Sequence, residues 1–175
     1  MYVKNVKMIG SWIDVLNAAR ATTGKKETKV EPSDHWKLKI LKAEHSPIRL
    51  ISFTWQWFDL PSCVSVHFVR HKIGIEHFVC SQRSDRTGID RNKLPQDAPV
   101  SHMCTANVQA LINISRRRLC QKAAPETLKA WRAVIDKISK IDPIIAAALI
   151  PDCEYRGKCH EFDSCGRMMQ YDGII

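Results

Sequence analysis

The chain has 175 residues, enough for one domain with a sizeable core, and its 27 Lys and Arg against 18 Asp and Glu leave a formal net charge of +9. That excess implies an acidic partner: a nucleotide-sized anion, nucleic acid or a membrane surface. The composition argues against a membrane span, since no apolar run approaches the roughly 18 residues one needs, and MYVKNVKMIG lacks the apolar core of a secretory leader. The positive charge is spread along the chain, with one concentration at Arg116–Arg118, so no basic tail of the nucleic-acid-binding kind is present. Seven cysteines cannot all pair within the chain, which with no leader predicts reduced thiols in a cytoplasm.

Tyr2 to Ile9 alternates loosely and reads as a strand stopped by Gly10. Ser11 suits the N-cap of a helix through Ile13, Val15, Leu16 and Ala19 to about Arg20. ATTGKKETKVEPSD has no apolar period and reads as a loop, after which Ser33 or Asp34 caps a short helix with Trp36, Leu38, Ile40 and Leu41 inward. Leu50 to Phe58 is rich in β-branched and aromatic residues and reads as a strand, broken by Asp59-Leu60-Pro61. Pro61 then suits the first turn of a helix carrying Val64, Val66, Phe68 and Val69, which delivers Arg70 and His71 at its C-terminal end. Ile73 to Ser81 reads as extended, and Arg86 to Pro99 as turns. From Val100 to Lys122, Ala106, Leu111, Ile112, Ile114 and Leu119 recur at helical spacing; Pro125 opens a further helix, and Asp142-Pro143 a last one through Leu149. With no repeat or linker, the expectation is a single α+β domain over 1–175, its mixed or antiparallel sheet flanked by long helices, with a Cys-containing tail at 151–175.

Four constellations carry chemistry. The stretch VRHKIGIEHFVCSQRSDR places Arg70, Lys72, Arg83 and Arg86 among apolar residues, and cations in such company point either to an anionic ligand in a partly dry cleft or to a charged strand face. On a helix at about 100° per residue, Asn113 sits about 120° from Asn107 and Arg118 about 140° from Asn113, so the three cannot share one narrow stripe. They suit different hydrogen-bonding partners, a heterocycle and a phosphate, or else plain capping and surface charge. Cys153, Cys159 and Cys165 with His160 offer a weak zinc set at unusual spacing, against redox thiols or packed free thiols. Cys80, near Arg83, Lys72 and His71, is either an activated nucleophile or a structural thiol. Arg91, taken alone, is a loop arginine. Neither GxxxxGK[ST] nor GxGxxG is present.

In order, KMIGSWIDVLNAARATTGK, EHSPIRLISFTW, HFVRHKIGIEHFVCSQRSDR, RNKLP and NVQALINISRRR resemble the flavin-dependent thymidylate synthases, over Val6 to about Pro151. The second and third stand where that family has its His-x-Ser/Thr-x-x-Glu-His and its Arg-His-Arg, seven residues, then Ser. The last two match Arg-x-x-Leu-Pro and Asn-x-x-x-Leu-x-Asn-x-x-x-x-Arg. The resemblance implies a divergent, phage-like member, cytoplasmic in a bacterium or a phage-infected host, that converts dUMP to dTMP with methylenetetrahydrofolate, NADPH and FAD in a homotetramer. It implies that Arg70, His71, Lys72, Asn107, Asn113, Thr22 and Ser46 face FAD, and that Arg83, Arg91, Arg118, His67 and Ser81 hold the nucleotide, Arg118, Ser81 and Arg83 nearest the chemistry. Departures are plain. Lys72 replaces an Arg, Ile75-Glu76-His77-Phe78 covers the family's Asn-Glu, and Glu44, Arg49 and Leu50 replace His, Glu and His. Either Cys80 or Ser81 takes the Ser position. The alternatives are a hydroxymethylase of pyrimidine nucleotides using the same cofactors, and a non-catalytic nucleotide- or nucleic-acid-binding homologue, with nucleic acid the less favoured partner.

Overall fold

Four antiparallel strands in the order β1-β2-β4-β3 form the sheet on which everything else is packed. The computed structural model describes residues 1–171; the last four residues of the expected 151–175 tail lie outside the described residues. Strand β1 (Tyr2–Ile9) is followed by α1 (Trp12–Ala21), which begins in a capping box: Ser11 Oγ accepts from Asp14 N–H while the Asp14 carboxylate accepts from Ser11 N–H. Helix α2 (Asp34–Lys42), capped by Ser33, buries Ile40 and Leu41 but leaves Leu38 half exposed, so its inward face is narrower than the sequence predicts.

A 3-10 turn (Ser46–Leu50) leads into β2 (Ser52–Pro61), which runs past the expected break at Asp59. The pairing with β4 slips between Trp57 and Leu60, and Asp59 takes φ +52°, so the chain absorbs the irregularity as a bulge and keeps the strand. Helix α3 (Ser62–Val69) buries Val64 and Phe68 and exposes Val66 and Val69. Strand β3 (Ile75–Val79), the one-turn α4 (Ser84–Thr87) and a 3-10 turn (Arg91–Lys93) follow.

The largest correction is β4 (Pro99–Asn107), a central strand where a helix was expected; the helix α5 spans only Val108–Arg118. Val100, His102, Cys104 and Ala106 are all buried at a period of two, but the polar His102 interrupts the series, which hides the alternation from an apolar count. Helix α6 (Pro125–Ile138) lays Trp131, Val134 and Ile138 on the sheet; α7 (Pro143–Ala148) is capped by Asp142, and α8 (Asp152–Arg156) opens the tail.

The core lies between one sheet face and helices α3 and α6. Trp55, Trp57, Trp131 and Phe68 are fully buried there; Trp57 stacks on Phe68 and the other pairs meet edge-on or tilted, with ring centroids 4.6 to 6.5 Å apart. Two of the indoles reach a partner: Trp57 N–H donates to the Ala130 carbonyl at 3.1 Å, and Trp131 N–H to Ser115 Oγ at 2.9 Å. The opposite sheet face carries Thr54, Gln56, Met103, Thr105, Glu76 and Phe78, none of them buried. All seven cysteines are free thiols.

Candidate functional site

Helix α3 runs out of apolar residues at Val69, and its last carbonyls are answered locally: His71 N–H donates to the Phe68 carbonyl at 2.9 Å. This turn brings His71 against Arg118 at the end of α5. Arg118 Nε donates to His71 Nε2 at 2.9 Å, and Arg118 Nη2 donates to the His67 carbonyl at 2.6 Å. His71, pushed down to about 4 by burial and then by the nearby Arg118 and His77, is neutral at physiological pH and free to accept that bond. Arg118 is itself pulled down by burial and by Arg70, and among the described residues it forms no ion pair with a carboxylate. A half-buried guanidinium beside a second cation, with no anion to answer it, is a place for an anionic ligand. His67 is less available: its Nδ1 sits 2.6 Å from Thr127 Oγ1 on α6. Lys72 and Arg70 are exposed at the rim.

A cleft of about 490 Å³ opens where β3, β4 and α5 meet, lined by Arg49, Glu44, Gly74, Asn107, Gln109 and Asn113 among others. Asn107 and Asn113 therefore face one cavity, contrary to the helical-wheel expectation. Asn107 is the N-cap of α5 and lies on the strand side of it, its Oδ1 accepting from Ala110 N–H at 2.9 Å, so the wheel does not apply to it. Gly74 holds φ +73°, and a Cβ there would lie 2.7 Å from Asn107 Nδ2; only glycine leaves that amide room. Glu44 adds a carboxylate to the lining, but Arg116 and Gln109 both donate to it. Burial pushes the Glu44 carboxyl up, and hydrogen bonds from Arg116, Gln109 and Tyr155 outweigh that and hold it below the usual carboxylate range. The arginine left with an unspent charge in the cleft is Arg49, exposed at its mouth.

The other expected residues stand apart. Arg83 forms a two-pronged bond with Asp85, at 2.9 and 2.7 Å, and Ser81 Oγ accepts from Arg83 N–H at 3.3 Å. Arg91 is exposed in the same loop, its N–H on Ser84 Oγ, and among the described residues no hydrogen bond joins this loop to Arg118. Thr22 caps α1 with its hydroxyl on the Ala19 carbonyl, Ser46 opens the 3-10 turn, and neither lines the cleft. Cys80 is exposed, its sulfur 3.9 Å from the Ser81 carbonyl. Cys153, Cys159, His160 and Cys165 line one small cavity together with Cys120. Among the described residues, however, the set of three donors mutually within 4.8 Å lies elsewhere, at His77, His102 and Cys104. The sequence reading missed that set, and the Glu44–Arg116 pair, because both join residues remote in the chain. The period-two placement of His102 and Cys104 was the one available signal.

No family model and no curated protein matches the sequence. Among solved structures, the chain is similar to the crystal structure of a UMP/dUMP methylase, PolB, from Streptomyces cacaoi bound with 5-Br dUMP. The TM-score is 0.67 and the identity 16%, over 83% of this chain and 93% of the other. The likeness establishes a shared fold, an α+β domain on a four-stranded antiparallel sheet. No helix among the described residues is long and apolar enough to cross a membrane.

Proposed function

We propose that the protein is an enzyme that methylates a uracil nucleotide, dUMP in the first instance, by the flavin-dependent thymidylate synthase reaction. In this reading methylenetetrahydrofolate is the one-carbon donor, and the assembly is a homotetramer. The observation that carries the reading is the unanswered Arg118 cation, held by His71 and the His67 carbonyl at the point where the family motif converges. The fold shared with a protein crystallised on a dUMP analogue supports it.

Arg118 has N–H donors left over for a phosphate or a uracil carbonyl, and its charge would stabilise the negative charge that builds on the ring as C5 becomes nucleophilic. Neutral His71 fixes the guanidinium plane. Arg70 and Lys72 supply exposed positive charge nearby. Arg83 would join on giving up Asp85, an exposed pair worth about 0–1 kcal/mol and so readily exchanged; Arg91 lies in the same loop.

The cleft fits part of a flavin dinucleotide. The Asn107 and Asn113 amides and Arg49 offer donors, Gly74 leaves room for a close approach, and Glu44 is already neutralised by Arg116. FAD, reduced by NADPH, supplies the hydride when bound. Thr22 and Ser46 enter this reading only through a neighbouring subunit.

The test is the visible spectrum of the purified protein, then NADPH oxidation with and without dUMP and methylenetetrahydrofolate. Flavin absorbance and oxidation that needs both substrates are expected. Colourless protein that takes up no added FAD overturns the reading, and a product heavier than dTMP by one oxygen turns it toward hydroxymethylation.

A further inference from the structure

On the core side of the sheet, away from the cleft, three donor atoms converge. His77 Nδ1 lies 3.0 Å from His102 Nε2, and Cys104 Sγ lies 3.3 Å from each of them. The strand pairing explains the meeting. Cys104 faces His77 across the β3–β4 ladder, and His102 sits two residues from Cys104 on the same buried face. His102 and Cys104 are fully buried, and His77 is half buried.

The outward nitrogens of both rings are also spoken for. His77 Nε2 lies 2.8 Å from the His71 carbonyl, and His102 Nδ1 lies 3.0 Å from Ser65 Oγ on α3. A carbonyl only accepts, so the His77 proton is on Nε2, and Nδ1 presents a bare lone pair to the other two groups. Hydrogen bonds alone employ this triangle poorly. One lone pair accepts one proton well; if His102 N–H takes it, the Cys104 thiol is left without a free acceptor among the three.

We propose that His77 Nδ1, His102 Nε2 and Cys104 Sγ form a binding site for one zinc-class transition-metal ion. Metal–nitrogen bonds of about 2.0–2.1 Å and a metal–sulfur bond of about 2.3 Å place tetrahedral ligands about 3.3–3.6 Å apart, close to the spacings found. All three lone pairs then point at one ion. The Ser65 hydroxyl and the His71 carbonyl become the acceptors that orient the two rings, the arrangement ligating histidines ordinarily have. The two-nitrogen, one-sulfur set, with no carboxylate, selects a zinc-like or softer ion over magnesium or calcium. Three protein ligands leave a fourth position for water. Binding displaces the Cys104 thiol proton to solvent, and no electron transfer is involved. Because His77 also holds the His71 carbonyl, the ion would brace the turn that presents Arg70 and His71. The site rests on the sheet geometry alone and stands or falls independently of the nucleotide reading.

The experiment loads metal-stripped protein with Zn2+, and separately with Co2+ as a spectroscopic stand-in. One equivalent of Zn2+ should bind. X-ray absorption should count one sulfur and two imidazole nitrogens, and the Co2+ form should show a thiolate-to-metal band. In Cys104→Ala that band should vanish. In both Cys104→Ala and the half-buried His77→Gln, Zn2+ affinity should fall by about 100-fold or more, at least the loss seen when an outer partner is removed. Absence of uptake overturns the proposal, leaving a hydrogen-bonded relay. So does a wild-type ligand count of two or more sulfurs, which would place the ion among Cys120, Cys153, Cys159 and Cys165 and is decisive even if a variant fails to fold.

Discussion

Arg118→Ala removes a half-buried guanidinium that, among the described residues, no carboxylate answers. Its side chain has five N–H donors; one goes to His71 and one to the His67 carbonyl, so three remain for a ligand. Hydrogen bonds to charged groups contribute about 1.5–3 kcal/mol each, so two of them to a phosphate or uracil carbonyl amount to about 3 kcal/mol at the low end. That corresponds to about a hundredfold weaker dissociation constant for dUMP. The two internal bonds are lost as well, which should lower folding stability by about 1–2 kcal/mol. Calorimetric titration of dUMP, beside urea unfolding of the same variant, separates the two effects. Arg118→Lys keeps a charge but not the planar fork and should fall between wild type and alanine. A folded Arg118→Ala variant that binds dUMP within about twofold of wild type would refute the assignment, since a twofold change is only about 0.4 kcal/mol.

Glu44→Gln should destabilise the protein by about 1–3 kcal/mol at neutral pH, because it leaves the buried part of Arg116 without its anion. The folded-state pKa of Glu44 is depressed below 4.5, so its contribution is present above that pH and is lost as pH falls through the lower folded value; the variant should have a flatter acid limb in urea unfolding, and equal limbs would contradict the sign. Gly74→Ala should cost at least about 1 kcal/mol from the left-handed backbone alone, with a further loss as the new Cβ meets Asn107; an unchanged Tm would show that the turn relaxes freely. If the proposed flavin-dependent reaction holds, Cys80→Ser should retain activity, since the exposed thiol has the Ser81 carbonyl as its one hydrogen-bond partner among the described residues; inactivation with flavin still bound would instead assign a nucleophile.

Much of the scaffold was legible because it rests on local chemistry. Ser11, Ser33 and Asp142 each cap the helix that their side-chain oxygens foretell, and Pro125 and Pro143 open theirs. The aromatic strand of Trp55 and Trp57 was legible for the same reason, as β propensity and alternation agree there. Strand β4 was not. Its inward positions include His102, and a buried imidazole in mid-strand interrupts the apolar period by which a strand is recognised.

The candidate site divides in the same way. Its cationic character was set by residue types, and the order of the motifs in the chain was enough to single out Arg70, His71 and Arg118 as candidates. Which cations remain unspent was decided by tertiary structure alone. Arg83 is answered by Asp85 two residues away and Arg116 by Glu44 from a distant turn, while Arg118, among the described residues, bonds to a neutral imidazole and a carbonyl. Charge is a property of the residue, and composition reports it. Neutralisation is a property of the neighbour, and neighbours 72 positions apart, as Glu44 and Arg116 are, meet only when the chain has folded.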